Sequence, residues 1–150
     1  MSFKVVSHRQ EVIDAKDEAV RRAMKDIGMA AETYAKGLCP VGTPESTGRK
    51  DKKTGKVYPN KGYIGGTLRG SITYATEEQH STGQAPAKGA DYKMLATPEK
   101  ERVYIGTNVE YAPYVEMGTV KMKKPKPYLK PAIANNAAEY KAILERELKG

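Results

Sequence analysis

The sequence predicts an α+β domain, in which a long N-terminal helix and a C-terminal helix pack on a small, mainly antiparallel sheet beside a long basic loop. Apolar residues recur at helical spacing from Ile13 to Leu38, and again from about Leu129 to Leu148. Between these segments, short runs alternate polar and apolar residues as strands do. We therefore expect one domain over 1–150, with a long loop at about 40–67 and a mobile turn at about 80–91.

The N-terminal helix is expected to begin after Ser7, whose hydroxyl can form a capping box with Gln10, and to end near Gly37 and Pro40. Gly28 weakens the helix interior by about 1 kcal/mol relative to alanine, and therefore indicates a close packing point. The apolar positions of this helix share one stripe: Ile13, Val20, Met24, Ile27, Ala31, Tyr34 and Leu38.

Three strands and a second helix are predicted downstream. Residues 71–76 alternate so that Ile72 and Tyr74 share a face, residues 102–107 form a firmer strand, and residues 92–95 form a short one. A short, aromatic-rich turn of helix that ends at Gly118 is expected after the strand at 102–107. The second helix runs from about Leu129 to Leu148, with a proline in its first turn, where the missing N–H costs little. Its apolar stripe contains Ala132, Ile133, Ala137, Tyr140, Ile143, Leu144 and Leu148.

The composition indicates a basic protein that binds acidic partners. The 150 residues carry a formal net charge of +8, which favours nucleic acid, acidic protein surfaces or anionic membranes. Ten tyrosines and no tryptophan suit half-buried surfaces and interfaces. No apolar run is long enough for a membrane span, and the first residues lack the apolar core of a signal peptide. We therefore expect synthesis in a reducing cytosol.

Few residues have the spacing that catalysis or metal binding requires. His8 and His80 lie outside any zinc-binding pattern, and Cys39, the only cysteine, is expected to be a small buried thiol. The glycines of residues 62–66 lack the lysine and hydroxyl of a phosphate-binding loop. We therefore expect no enzyme, no catalytic residue, no metal ion and no cofactor.

Two basic segments are candidates for contact with DNA phosphate or with the acidic rim of a neighbouring protein. The first lies in the long loop and contains Arg49, Lys50, Lys52, Lys53 and Lys56, with Lys61 beyond them. The second contains Lys121, Lys123, Lys124 and Lys126. The alternative, that each is a solvated and self-repelling loop, stays open. Residues 53–56 are expected to close a small hairpin.

Four stretches of the chain together resemble a known family. They are Cys39-Pro-Val41, Gly66-Thr-Leu-Arg-Gly-Ser-Ile72, the run Val103-Tyr-Ile-Gly-Thr-Asn-Val-Glu-Tyr-Ala-Pro-Tyr-Val-Glu-Met-Gly-Thr119, and Pro127-Tyr-Leu-Lys-Pro131. This pattern resembles the head–tail joining (tail-completion, minor tail component) proteins of long-tailed bacteriophages of the lambdoid type. The sequence departs from the family by a long additional segment, which includes most of the basic loop, and by the reversed order of Gly66 and Thr67.

The resemblance implies a virion structural protein of the neck. Such a protein forms a ring, expected to be a hexamer, at the head-proximal end of the tail, completes the tail and joins it to the head connector, while DNA passes through the lumen. Implied partners are further copies of the chain, a head-closure or connector protein, a tail terminator or tail-tube protein, and non-specific genomic DNA, with no membrane. The expected location is the virion neck, after synthesis in the host bacterial cytoplasm.

The candidate ring interface combines rigid amphipathic side chains with their neighbours: Leu68, Arg69, Tyr104, Tyr111, Tyr114, Glu116 and Met117. One alternative within the family is a tail terminator ring that caps the tail tube. A second alternative, outside this family, is a free-standing basic DNA-binding protein, which would bind duplex DNA with a steep salt dependence. A hydrolase or nuclease would need Glu110, Glu116 and a histidine to converge on a metal ion.

Overall fold

The computed structural model describes residues 8–84, 91–92, 97–120 and 124–149, with the backbone alone for 84, 91 and 92. The predicted α+β fold is confirmed, with a long N-terminal helix, C-terminal helices and small antiparallel sheets. Along the chain, the described elements are α1 (Arg9–Leu38), β1 (Arg49–Lys50), β2 (Val57–Tyr58), α2 (Thr67–Ser71), β3 (Thr73–Ala75), β4 (Gly83–Gln84), β5 (Asp91–Tyr92), β6 (Tyr104–Gly106), α3 (Ala112–Met117), α4 (Leu129–Ala134) and α5 (Ala137–Lys149).

The strands form separate antiparallel pairs, so the prediction of one sheet is wrong. In the described ranges β1 pairs with β2, β3 with β6, and β4 with β5. The β3–β6 pair, in which Tyr74 lies opposite Ile105, confirms the strand predicted over 102–107. Of the strand expected over 92–95, Tyr92 belongs to β5, and residues 93–96 lie outside the described residues. Residues 85–90 of the predicted turn also lie outside them.

The first helix begins slightly later than expected. Its flanking residue is His8, which makes no side-chain capping bond, and Ser7 lies outside the described residues. Gln10 donates its side-chain amide to Asp14 Oδ1 at 2.9 Å, one turn further into the helix. The other member of the expected capping box is Ser7, so that prediction lies outside the described residues.

Small residues form the buried face of α1, and this differs from the predicted stripe. Ile13 is 39% exposed and Leu38 is 48% exposed, so both ends of that stripe are wrong. Close approach of α4, α5 and β3 explains the difference, since large side chains on this face would hold these elements apart. The buried residues of α1 are Ala19, Ala23, Met24, Gly28, Ala31 and Ala35.

A short helix that the sequence analysis did not predict comes before β3. The predicted strand over 71–76 is therefore too long, because Ser71 ends α2 and only Thr73–Ala75 pair in the sheet. Every residue from Ser71 to Thr76 is buried, so Ile72 and Tyr74 do not mark one buried face of a half-exposed strand. The β3 strand packs against α1, which makes it part of the core.

The C-terminal helix is broken into α4 and α5 at Asn135 and Asn136. The Asn136 side-chain amide donates to the carbonyl oxygen of Ala132 at 2.9 Å, and the Tyr140 hydroxyl donates to the same oxygen at 2.7 Å. Asparagine side chains compete with backbone hydrogen bonds in this way, which makes asparagine a weak helix former. Pro131 lies in the first turn of α4, as predicted.

The core joins the end of α1 to α2, α3 and α4. Tyr128 is fully buried at its centre, and its hydroxyl makes no hydrogen bond within the described residues. The described helices contain none long and apolar enough to cross a membrane. The core cluster contains Ala35, Cys39, Leu68, Ile72, Ala112, Tyr128 and Ala132.

Helix α1 and strand β3 lie close together at Gly28, and replacement of this glycine gives a stability test. A β-carbon at Gly28 would lie 2.6 Å from Cδ2 and 2.9 Å from Cγ of Tyr74. We expect Gly28→Ala to lower the free energy of unfolding by about 2 kcal/mol, because this overpacking outweighs the gain of about 1 kcal/mol in helix propensity. Urea unfolding followed by circular dichroism measures the difference.

Gly37→Ala is the matched control in the same helix. A β-carbon there meets no atom within 4 Å. We expect this variant to raise the free energy of unfolding by up to about 1 kcal/mol. An equal stabilisation by Gly28→Ala would show that Tyr74 does not press against α1.

Candidate assembly surface

The aromatic turn that the sequence predicts between β6 and the basic C-terminal segment is helix α3. Thr107 Oγ1 accepts the N–H of Val109 at 3.1 Å, which shapes the turn after β6. Gly118 ends the helix with φ +80°, a conformation that favours glycine, and donates its N–H to the carbonyl of Tyr114 at 2.9 Å. The expected helical turn closed by Gly118 is therefore confirmed.

Glu116 connects α3 to the start of α4. One carboxylate oxygen accepts the N–H groups of Tyr128 at 2.7 Å and Leu129 at 3.0 Å, and the other accepts that of Lys130 at 2.9 Å. These N–H groups have no partner inside the helix, because they belong to its first turn. Glu116 was predicted to contact another subunit, but the structure shows its carboxylate capping α4 of its own chain.

The pKa of Glu116 reflects this position. Burial, the largest single influence, raises it, but the three backbone N–H groups and the charge of Lys130 together lower it more, so the net shift is downward from the ordinary value of 4.5. The charged form is therefore the stabilising one. Its contribution to stability is present above about pH 4.5 and is lost as the pH falls through the lower pKa of the folded protein.

Large apolar side chains remain exposed around β6, α3 and α4. Met117 is 72% exposed and Tyr114 is 58% exposed, so each presents most of its side chain to solvent. We call this region the β6–α3 surface, and its members are Tyr104, Tyr111, Tyr114, Met117 and Ile133. The four predicted interface residues among them lie on the surface of the chain, as an interface requires. Ile133 was expected on the buried stripe of the C-terminal helix, but it is 49% exposed.

Two open grooves adjoin the β6–α3 surface. One of about 470 Å³ runs along β6 and is bordered on its other side by Ile133. The second, of about 420 Å³, lies between the end of β6 and α3, where Met117 and Leu129 line it. The two grooves share Gly106, Thr107 and Asn108 in their linings, so they lie next to each other. Mostly apolar residues line both grooves, a composition typical of a protein contact.

Leu68 and Arg69 do not belong to this surface in the way the sequence suggested. Leu68 is only 5% exposed and is a member of the core cluster, so its side chain is not available to a partner. Arg69, the next residue, is exposed. The difference arises because α2 is a helix and not the start of a strand, and it turns Leu68 inward.

The first basic segment forms a well-ordered hairpin, which confirms the turn expected at residues 53–56. Asp51 Oδ1 accepts the N–H groups of Lys53 at 2.7 Å and Thr54 at 3.1 Å, and Gly55 adopts φ +72°. The N–H groups of Thr54 and Lys53, in that order, lower the pKa of the Asp51 carboxyl. We call residues 49–58 the basic hairpin.

The cations of the basic hairpin are exposed. Lys56 Nζ lies 5.4 Å and Arg49 Cζ 5.6 Å from the centre of the Tyr58 ring, so both stack on its face. All five predicted contact residues of this segment have exposed side chains: Arg49, Lys50, Lys52, Lys53 and Lys56. In the second basic segment Lys124 and Lys126 are exposed, and Lys121 and Lys123 lie outside the described residues.

Of the titratable residues considered for chemistry, Glu110 and Glu116 line the same groove, and its described lining contains no histidine. Burial, the largest influence, raises the pKa of Cys39 to about 11, against the lowering effect of the Arg69 charge. His8 Nδ1 lies 2.9 Å from Glu11 in the first turn of α1. Within the ranges that the structure describes, no group of three or more histidine, cysteine or acidic side chains could hold a metal ion.

A charged cleft that the sequence analysis missed lies between α1 and the segment after β3. It encloses about 190 Å³. Ion pairs border it, since Arg21 Nε lies 3.0 Å from Glu78 and Lys100 Nζ lies 2.5 Å from Asp17. These pairs connect distant parts of the chain, so periodicity along the sequence could not reveal them.

Comparisons with protein-family models, with curated proteins and with solved structures found no match for this chain.

The Glu116 cap can be tested by its removal. We expect Glu116→Ala to lower the free energy of unfolding by about 3 kcal/mol near neutral pH, because three N–H groups at the start of α4 lose a charged acceptor. Since the folded protein has the lower pKa, the deficit relative to the wild type should shrink as the pH falls below about 4.5. Urea unfolding at a series of pH values measures both effects.

Glu110→Ala is the matched control, because Glu110 is an exposed carboxylate that lies just before helix α3. Its replacement should change the free energy of unfolding by less than about 0.5 kcal/mol. Equal effects of the two variants at neutral pH, or a Glu116 deficit that does not depend on pH, would contradict the capping role.

Proposed function

We propose that this protein is a phage virion structural protein of the neck. Copies of it form a ring at the head-proximal end of the tail, complete the tail and join it to the head connector, while DNA passes through the lumen. Support comes from the sequence resemblance described above and from the exposed β6–α3 surface. The resemblance is strongest in the segment that folds into β6, α3 and the start of α4.

The β6–α3 surface is the observation that carries this proposal. Tyr114 and Met117 project from α3 with more than half of each side chain exposed. Grouped apolar side chains of this kind mark protein contacts, because isolated monomers bury or disperse them. Aromatic residues and methionine are enriched at such contacts. Glu116 holds the surface in place through α4, so it is formed before any partner binds.

The role of the ring in the neck depends on its neighbours. A tail-completion ring binds the head connector on one side and the tail on the other. A tail terminator ring caps the tail tube, and it would use the same kind of contact between its copies. Binding of the purified protein to isolated connectors and to isolated tail tubes, measured separately, distinguishes the two.

A free-standing DNA-binding protein is the second candidate function. The basic hairpin supports it, since five exposed cations lie within eight residues. Such a protein would bind duplex DNA as a monomer, with an affinity that falls steeply as salt is added. The ring protein, in contrast, is expected to bind DNA weakly until it assembles.

Replacement of Tyr114 tests the proposed function. We expect the wild type to form a ring of defined mass, which we expect to be a hexamer. Tyr114→Ala and Met117→Ala should each weaken the association by about tenfold or more. The free energy of unfolding of each variant monomer should stay within about 0.5 kcal/mol of the wild type, because both side chains are exposed. Sedimentation over a range of protein concentrations gives the mass, with and without the connector.

Met29→Ala is the matched control, because Met29 is an apolar side chain on α1 that is 50% exposed. It should leave association unchanged. If the Tyr114→Ala variant is unfolded, Tyr114 belongs to the core and not to an interface. A wild type that stays monomeric with and without the connector, yet binds duplex DNA tightly, would replace the ring by the DNA-binding function.

A further inference from the structure

Among the residues that the structure describes, one edge of the β6 strand has no partner strand. Tyr74, opposite Ile105 in the ladder, donates its N–H to Ser81 Oγ at 2.8 Å and accepts the N–H of Ser81 at 3.0 Å. Both of its backbone groups therefore point away from β6. In an antiparallel ladder, opposite residues that exchange backbone hydrogen bonds alternate with opposite residues that do not. The N–H and carbonyl of Ile105 therefore point away from β3, to the open edge.

This edge lacks the features by which proteins usually protect a strand from pairing. Lysine, proline and bulges are typical protections, and the run from Val103 to Thr107 contains no charged residue and no proline. The groove of about 470 Å³ follows the same edge, with Ile133 as its opposite wall. An added strand could therefore pair with β6 through its backbone and cover Ile133 with a side chain.

Carboxylates lie at both ends of the open edge. Glu101 comes shortly before β6 and Glu110 shortly after it, and both are exposed. Neither makes an ion pair within the residues that the structure describes. The groove along β6 is thus lined by uncharged residues, with one exposed carboxylate before the strand and one after it.

The basic hairpin of the same chain has the complementary features. Asp51 donates its N–H to the carbonyl of Lys56 at 2.9 Å, so these two residues bond across the hairpin. By the same alternation, the next pair, Lys50 and Val57, directs its backbone groups to the outer edges. The outer edge of β2 thus presents the N–H and carbonyl of Val57, beside an apolar side chain that is 42% exposed.

The hairpin is also short of contacts within its own chain. All residues from 49 to 62 other than Asp51 are exposed, and none of its cations forms an ion pair among the described residues. A two-stranded hairpin is only marginally stable in water unless it packs on another surface. The bonds of Asp51 and the cations on the Tyr58 ring shape the hairpin locally, and a contact with another surface would add to its stability.

We propose that the basic hairpin of one copy of this chain adds the outer edge of β2 to the open edge of β6 in the next copy. The inference rests on the proposed ring, and it assigns the contact between its subunits. Val57 lies beside Ile105, and the hairpin cations lie beside Glu101 and Glu110 of the neighbour. Each copy donates one hairpin and accepts one, which is the head-to-tail contact that closes a ring. DNA is the less favoured occupant, because it offers no strand to the β6 edge.

Mixed cross-linking tests this contact directly. Tyr58→Cys and Tyr104→Cys are prepared separately, mixed, and treated with a short bismaleimide, so that only contacts between copies link the two variants. Cys39 does not interfere, because it is buried. We expect one dominant linked species that contains both variants. The control replaces Tyr104→Cys with Met29→Cys, which should give at least about tenfold less product, because Met29 lies on the exposed face of α1 and not on β6.

Charge reversal gives an independent readout in the full-length protein. Glu101→Lys with Glu110→Lys should weaken association by about tenfold or more. The addition of Lys52→Glu with Lys53→Glu should restore most of it, because opposite charges then face each other again, with the signs exchanged. Glu11→Lys with Glu18→Lys, at exposed positions on α1, changes the net charge by the same amount, should have little effect and serves as the control for net charge.

The outcomes separate this contact from the proposed ring. Ring formation without the mixed cross-link and without the charge-reversal effect would overturn the hairpin contact and leave the ring intact. A protein that forms no ring and no cross-link would overturn both. Loss of duplex DNA binding as the only effect of the hairpin variants would assign the hairpin to DNA and overturn the contact between copies.

Discussion

The bond between the Glu116 carboxylate and the first turn of α4 is the interaction on which the rest of the surface depends. It joins two elements separated by the second basic segment, and the N–H groups it accepts are those that a helix start leaves without partners. Because Tyr128 is one of the donors and is itself fully buried, the cap also fixes the centre of the core. The exposed residues of α3 therefore stand on a rigid base.

A second constraint is the closeness of α1 to the strands beneath it. Alanine and glycine on the inner face of α1 allow Tyr74 to lie against Gly28, and the same approach leaves β3 buried from end to end. Ser81 bonds to both backbone groups of Tyr74 and so closes one edge of the β3–β6 pair. Only the β6 edge of this described pair remains open, and it lies beside the exposed side chains of α3. The packing of the core thus decides which side of the molecule can contact a partner.

How much the sequence could predict depends on how local each signal is. The strand at 102–107, the helical turn ended by Gly118 and the hairpin around Asp51 were predictable, because alternation, glycine and turn residues act within a few positions. Helix α2 was missed because it has only five residues and contains a glycine. The capping role of Glu116 could not be predicted, since its partners lie 12 to 14 residues away and meet it only in the folded chain. The ends of the buried stripe of α1 were placed wrongly, although its middle members Met24 and Ala31 are buried, because large apolar residues were given more weight than alanine.

Hydrogen–deuterium exchange of the wild-type protein below and above its association concentration would test the central claim, that the β6–α3 surface becomes buried between copies. The account predicts slower exchange on association in residues 103–107 and 112–118, where the open strand edge and α3 lie, and unchanged exchange on the outer face of α1. Protection confined to α1, or no change at any concentration with the connector present, would contradict it.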